Sequence, residues 1–165
     1  MRIICLDVEG VLVPEIWINV ARKTGIKALE RTTRDEPDYR KLMYSRIDLL
    51  HEHGLSLHDI QEVIGTMDPL EGAEDFLDGL RSRTQVVLLS DTFEEFARPL
   101  MKKLNWPTLL CNSLEVDEDG MIKDFHLRQD DGKRKAVLGF QSMGLEVFAS
   151  GDSYNDLSMI RAADR

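Results

Sequence analysis

The chain has 165 residues and a formal net charge of −9, with 30 acidic residues against 21 basic ones. That length is typical of a single domain that buries its own core. The acidic balance argues against nonspecific nucleic-acid binding, because basic side chains must displace the counterions of the phosphate backbone. No apolar run approaches the roughly 20 residues of a bilayer span, and Asp7 comes too early for a secretory signal. We therefore expect a cytoplasmic protein without nucleic-acid or membrane partners.

The first apolar run, residues 2–6, predicts a short buried strand, since continuous runs of this length are typical of parallel strands covered on both faces. Strand signals are then absent until about residue 71. Helical patterns occupy this stretch instead, over 15–24, 38–53 and 57–66. We expect residues 14–71 to form a helical cap that is inserted after the first strand.

Beyond a helix predicted over 73–83, strand and helix patterns alternate, as in an α/β fold. Three further buried strands are predicted, over 85–89, 108–111 and 145–149. The turn signal Asp119-Gly120 predicts a β-hairpin over 113–127. We therefore expect a Rossmann-like core with a parallel sheet, formed by residues 1–13 and 72–165.

Two local features of this core can be predicted as well. Thr92 and Glu95 have the spacing of a capping box, which predicts that a helix begins there. The final helical segment, 156–163, is followed by no strand, whereas doubly wound sheets normally continue. We therefore expect that the chain is truncated at its C-terminus.

Polar side chains follow three of the four predicted strands. The first strand runs into Asp7-Val8-Glu9-Gly10, the second into Ser90-Asp91-Thr92 and the last into 150–156. Open α/β sheets bind ligands at the carboxyl ends of their strands. If these strands are parallel neighbours, one crevice gathers the side chains of Asp7, Glu9, Ser90, Asp152, Asn155 and Asp156.

Four carboxylates in one crevice repel one another unless a cation offsets their charge. Mg²⁺ suits this role, because it takes oxygen ligands and is usually shared between one or two carboxylates and a substrate phosphate. Donors for a phosphate are present in the hydroxyls of Ser90 and Thr92 and in the basic cluster 132–135, which contains Lys133. An Asp after one strand is often only a helix cap, but three such strand ends together indicate a magnesium-dependent phosphoryl-transfer site.

These residues, in this order, resemble the haloacid dehalogenase (HAD) superfamily of phosphotransferases over the whole chain. The likeness rests on Asp7-x-Glu9-Gly10-Val11, Ser90, Lys133 and Gly151-Asp152-x-x-x-Asp156. The helical insertion lies where that superfamily carries its first type of cap. Within it, the segments 13–17, 90–93 and 151–156 are most similar to the phosphoserine phosphatase branch, and there to bifunctional bacterial members that also phosphorylate homoserine.

The resemblance implies a role for each residue of the crevice. Asp7 would be the nucleophile that forms an aspartyl-phosphate, and Glu9 would be the general acid and base. Mg²⁺ would be held by Asp7, the main-chain carbonyl of Glu9 and Asp152. Ser90 and Lys133 would bind the phosphoryl oxygens, and Asp156 would orient Lys133 or a metal-bound water.

The resemblance also implies contacts with the rest of a small amino-acid substrate. Glu15 would accept the substrate ammonium, and Arg46 would bind its carboxylate in bidentate geometry. Asn155 would hydrogen-bond the phosphate end, and Asp91 and Thr92 are expected to complete the substrate site.

The implied function is Mg²⁺-dependent transfer of phosphate from O-phospho-L-serine to water or to homoserine. Two alternatives remain open: a phosphatase for another small phosphomonoester, and a truncated module that binds Mg²⁺ or phosphate without catalysis. Most of the superfamily has Asp where this chain has Glu9, so the acceptor, water or homoserine, is left open. A homodimer is left open too.

Overall fold

A five-stranded sheet organises the chain in the computed structural model, which describes residues 1–165. The strands lie in the order β4-β3-β2-β1-β5, and only β4 runs antiparallel to its neighbour. Their bounds are β1 Arg2–Leu6, β2 Gln85–Phe93, β3 Leu109–Val116, β4 Ile122–His126 and β5 Glu146–Ser150. The predicted α/β fold with a mainly parallel sheet and a hairpin is therefore confirmed.

Seven α-helices surround this sheet. They are α1 Ile16–Thr24, α2 Tyr39–Glu52, α3 Leu57–Gly65, α4 Ala73–Arg81, α5 Glu94–Lys103, α6 Gly132–Ser142 and α7 Leu157–Ala162, with 3₁₀ turns at Lys27–Glu30 and Tyr154–Asp156. The stretch 14–71 contains α1, α2 and α3 and no strand, as its pattern predicts. None of the helices combines the length and the apolar character that crossing a membrane requires.

The end of β2 differs from its prediction. The strand continues past residue 89 to Phe93, which is buried and lies opposite Asn112 of β3 after a shift in register. Because burial of the Phe93 ring keeps the chain extended, α5 begins only at Glu94. The capping box predicted for Thr92 and Glu95 is therefore wrong, and Glu95 Oε2 instead accepts a hydrogen bond from the Leu114 amide at 3.0 Å.

The predicted strand 108–111 and the first arm of the hairpin form one continuous strand, β3. The polar residue Asn112 does not interrupt it, because its side chain is hydrogen-bonded on both sides. Asn112 Nδ2 donates to the carbonyl of Asp91 at 3.1 Å, and Asn112 Oδ1 accepts from the amide of Arg128 at 3.0 Å. The amide side chain thus ties β3 to the functional end of β2.

Apolar side chains cover both faces of the sheet. On one face, helices from 14–71 share a single core with the strands, in which Val20 and Ile60 are buried together with Leu6 and Phe96. The ring of Trp17 meets Phe96 edge to face with centroids 5.3 Å apart. The other face is covered by α6 and α7. The helical stretch is therefore anchored to the sheet by continuous packing.

Replacing Ser56 by Ala is expected to lower the free energy of unfolding by about 1 kcal/mol. Ser56 Oγ accepts from the Asp59 amide at 3.2 Å, so the variant leaves this amide at the start of α3 without its acceptor, while the 2.7 Å bond from the residue 56 amide to Asp59 Oδ2 can remain. Urea denaturation measures the change. Ser45→Ala, within α2 where no hydrogen bond to the hydroxyl is formed, is the control. Equal losses in both variants would contradict a stabilising cap.

Candidate active site

The carboxyl ends of β1, β2 and β5 lie side by side, because β1 pairs in parallel with β2 on one edge and β5 on the other. A cavity of about 300 Å³ opens at these ends. Eight of the predicted site residues line it: Asp7, Glu9, Glu15, Ser90, Asp91, Lys133, Asp152 and Asn155. The structure thus brings together at one cavity the polar side chains that follow the predicted strands.

Lys133, in the first turn of α6, is the centre of the polar network. Its ammonium lies 2.9 Å from Asp7 Oδ1 and 2.7 Å from Asp156 Oδ1, and 3.7 Å from Asp91 Oδ2. The side chain is only 7% exposed. Burial alone would lower the pKa of Lys133, but the three carboxylates outweigh it and raise the pKa above its usual range. The lysine is therefore a fixed positive charge.

The two carboxylates that Lys133 bridges have pKa values shifted in opposite directions. Burial, with a contribution from Asp156, raises the pKa of Asp7 to about 6 despite the lysine contact. Burial also acts to raise the pKa of Asp156, but hydrogen bonds from Lys133, the Ser153 amide and the Ser153 hydroxyl together lower it. Asp156 is therefore a fully hydrogen-bonded anchor for the lysine, whereas Asp7 lines the cavity.

Glu9 lies at the junction between the sheet and α1. Its Oε1 accepts a hydrogen bond from the amide of Ile16, the first residue of α1, at 2.7 Å. Burial raises the pKa of Glu9 to about 7, and the neighbouring Glu15 and Asp7 add to the rise. A carboxyl group with a pKa near neutrality can both donate and accept a proton, which is what acid and base catalysis requires.

Oxygen ligands for a divalent cation are grouped beside Asp7. Carboxylate oxygens of Asp7, Asp152 and Asp156 all lie within 4.8 Å of one another. Since Asp156 is occupied by Lys133 and Ser153, the carboxylates of this group that remain for a cation are those of Asp7 and Asp152, and the carbonyl of Glu9, the third ligand implied by the resemblance, accepts no backbone hydrogen bond. An all-oxygen set of this kind fits Mg²⁺.

Gly10 makes this grouping sterically possible. Its φ is +79°, and a Cβ at this position would lie 2.1 Å from Asp152 Oδ2. Only a residue without a side chain therefore lets the loop after β1 approach the Asp152 carboxylate so closely. The Asp7-x-Glu9-Gly10 pattern thus combines two acidic residues with a glycine that leaves room for the Asp152 carboxylate.

Arg46 and Thr92, both predicted for the substrate site, do not line the cavity. Thr92 is buried, and its amide donates to Ser90 Oγ at 3.2 Å, so it orients Ser90. Arg46 lies behind the loop that precedes α2: its Nη2 donates to the carbonyl of Arg31 at 2.7 Å, and its guanidinium stacks on Trp17 at 4.6 Å from the ring centroid.

The environment of Arg46 is unusual for a charged group. The residue is 7% exposed, no carboxylate pairs with it, and its Nε has no hydrogen-bond partner. Burial lowers the pKa of Arg46 to about 10. A buried guanidinium without a counter-ion is costly, so an anionic ligand would relieve it.

The sequence patterns missed one wall of the cavity, which consists of Thr32, Thr33 and Arg34. A turn holds this segment, in which the Thr32 amide donates to Asp35 Oδ2 at 2.8 Å and the Arg34 amide donates to Thr32 Oγ1 at 3.2 Å. The spacing of Thr32 and Asp35 is a turn signal, but nothing in it indicates proximity to the strand ends.

The chain matches known proteins over nearly its full length. Phosphoserine phosphatase ThrH of Pseudomonas aeruginosa is 59% identical over 163 residues, which cover 99% of this chain and 80% of that protein. A phosphoserine phosphatase of Pseudomonas syringae pv. tomato is 57% identical over 164 residues, covering 99% of this chain and 69% of that protein.

Solved structures show the same fold. A phospho-aspartyl intermediate analogue of phosphoserine phosphatase superposes with a TM-score of 0.78 at 21% identity, covering 98% of this chain and 83% of that chain. The profile of the haloacid dehalogenase-like hydrolases matches residues 1–164. With the family profile, the close relatives and the fold in agreement, this chain belongs to the haloacid dehalogenase-like hydrolase family.

Proposed function

We propose that this protein transfers the phosphoryl group of O-phospho-L-serine to water or to homoserine through an aspartyl-phosphate on Asp7. The observation that carries the proposal is the network in which buried Lys133 holds Asp7 at the end of β1, beside Ser90 and the oxygens of Asp152. Membership in the family and the high sequence identity to two phosphoserine phosphatases support the choice of reaction and substrate.

In the first step, an oxygen of the Asp7 carboxylate attacks phosphorus, the new P–O bond forms and the bond to the serine oxygen breaks. Glu9 donates its proton to the departing serine oxygen, which leaves as the free hydroxyl. Lys133 fixes Asp7 Oδ1 at 2.9 Å and so orients the nucleophile. In the second step, Glu9 takes the proton of water or of an alcohol, whose oxygen attacks phosphorus and releases the Asp7 carboxylate.

Ser90 and Lys133 bind the phosphoryl oxygens. Because Ser90 Oγ accepts from the Thr92 amide, its hydroxyl proton is left to donate to phosphate. Mg²⁺ would be held by Asp7, Asp152 and the Glu9 carbonyl, and when bound it offsets the negative charge between nucleophile and phosphate. Asp156 keeps Lys133 in place, and Asp91 and Asn155 complete the walls of the cavity.

Glu15 and Arg46 recognise the amino-acid part of the substrate. Glu15 is exposed on the cavity wall directly before α1, where its carboxylate can accept the ammonium. Arg46 is the buried guanidinium whose Nε lacks a partner, and it is the charged group that we assign to the substrate carboxylate. Such charge-assisted contacts are about twice as strong as neutral ones.

Asp7→Asn is expected to lower turnover of phosphoserine at least about 1000-fold, because an amide cannot form the phospho-enzyme. Steady-state phosphate release measures the loss, and thermal unfolding checks that the fold is retained. Asp75→Asn, an exposed carboxylate on α4, is the matched control with unchanged turnover. Activity of Asp7→Asn within about tenfold of the wild type, which is ~1.4 kcal/mol of barrier, would contradict the mechanism.

Mg²⁺ is expected to raise the melting temperature of the wild type, since a ligand at 100 times its Kd stabilises the native state by about 2.7 kcal/mol. Asp152→Asn should abolish this shift, because it removes one of the cation's anionic ligands. Asp91→Asn lines the same cavity outside the oxygen cluster and should keep the shift. An equal Mg²⁺ shift in Asp152→Asn and the wild type would place the cation elsewhere.

Glu9→Asp is expected to raise the ratio of free phosphate to phosphohomoserine at fixed homoserine. The Glu9 side chain reaches the Ile16 amide, and a side chain one methylene shorter moves the base back by about a bond length. Homoserine is positioned by Glu15 and Arg46, so it can react with the Glu9 carboxylate in its wild-type position. Water has no such contacts, and a base misplaced by about 1 Å can slow its attack ~10²-fold. Phosphorus NMR measures the two products. An unchanged or lower ratio would show that the length of this side chain does not set partitioning.

A further inference from the structure

The charges on the cavity wall are strongly unbalanced. Five carboxylates line it, those of Asp7, Glu9, Glu15, Asp91 and Asp152, against two cationic side chains, Lys133 and Arg34. Lys133 is already engaged, at 2.9 Å from Asp7 and 2.7 Å from Asp156. Because Lys133 is assigned to the phosphoryl oxygens, Arg34 is the remaining cation on the wall for a second anionic group of the ligand.

No carboxylate of the protein neutralises Arg34. Five other arginines do form ion pairs with carboxylates: Arg2, Arg22, Arg81, Arg134 and Arg165. Arg34 is exposed at the rim of the cavity, yet it forms no ion pair with Glu15 on the same wall. Both side chains are thus available to opposite charges of one ligand.

The backbone around Arg34 is well supported. The amide of Arg34 donates to Thr32 Oγ1 at 3.2 Å, and the Glu36 amide donates to the Thr32 carbonyl at 3.1 Å. At the start of this segment, Arg46 Nη2 donates to the Arg31 carbonyl at 2.7 Å. The segment that carries Arg34 is therefore positioned from behind by the buried arginine of α2.

We propose that Arg34 is a specificity-determining residue that binds the carboxylate of the amino-acid substrate, in addition to Arg46. The inference rests on the proposed function. The phosphoryl group has its own partners in Ser90 and Lys133, which are both buried at the inner end of the cavity. The ammonium and carboxylate of an amino acid share one carbon atom, so the carboxylate lies at the rim beside the ammonium that Glu15 accepts, where Arg34 is exposed.

Two esters test this assignment with the Mg²⁺-loaded protein. Phosphoserine and O-phosphoethanolamine carry the same phosphate and ammonium, but only phosphoserine has a carboxylate. Arg34→Gln should lower kcat/KM for phosphoserine about tenfold and leave that for phosphoethanolamine within about twofold. Arg34→Lys should recover part of the loss, since it keeps the charge without the bidentate geometry. Arg22→Gln, with the same charge change on the exposed side of α1, is the control.

The outcomes separate this inference from the proposed function. Suppose that the wild type turns over phosphoserine, but Arg34→Gln either loses the same activity on both esters or loses none on either. Arg34 then does not recognise the carboxylate, and the inference fails while the proposed function stands. A wild type that does not release phosphate from phosphoserine overturns the proposed function and the inference with it. A selective loss on phosphoserine, partly restored by Arg34→Lys, supports the inference.

Discussion

The buried ammonium of Lys133 is the contact on which the rest of the site depends. It joins the end of β1, through Asp7, to the loop after β5, through Asp156, and it does so in the first turn of α6. A lone ammonium at this depth would carry a large desolvation cost, which the contacts with two carboxylates offset. Removing Lys133 would leave two buried carboxylates facing each other without a cation, so the position of the nucleophile and the packing of β1, α6 and the loop after β5 depend on this one side chain.

A second constraint links this polar network to the helices of residues 14–71. Glu9 reaches from the end of β1 to the first amide of α1, and the ring of Trp17 in α1 lies between Phe96 of the core and the Arg46 guanidinium. Arg46 in turn holds the carbonyl of Arg31. The residues proposed for phosphoryl chemistry and those proposed for substrate choice are therefore joined by direct contacts.

The sequence predicts the fold well where local patterns and tertiary packing agree. Apolar runs located the strands, and the polar residues after them identified the wall of the cavity. The prediction was wrong at Thr92 and Glu95, because burial of Phe93 extends β2, a tertiary effect that a capping pattern does not contain. The place of Arg34 could not be predicted, since it depends on how α2 and Arg46 hold the preceding loop. The roles of the site residues stay predictions.

In the proposed mechanism, the Asp7 carboxylate carries the phosphoryl group between donor and acceptor. The most direct measurement is mass spectrometry of the wild-type protein, quenched in acid during turnover of phosphoserine with Mg²⁺ and digested into peptides. We expect one added phosphoryl group on the peptide that contains Asp7, and we expect this group to disappear once homoserine is added or the phosphoserine is consumed. Full turnover without a phosphorylated Asp7 peptide, or with the phosphoryl group on another residue, would contradict a mechanism through Asp7.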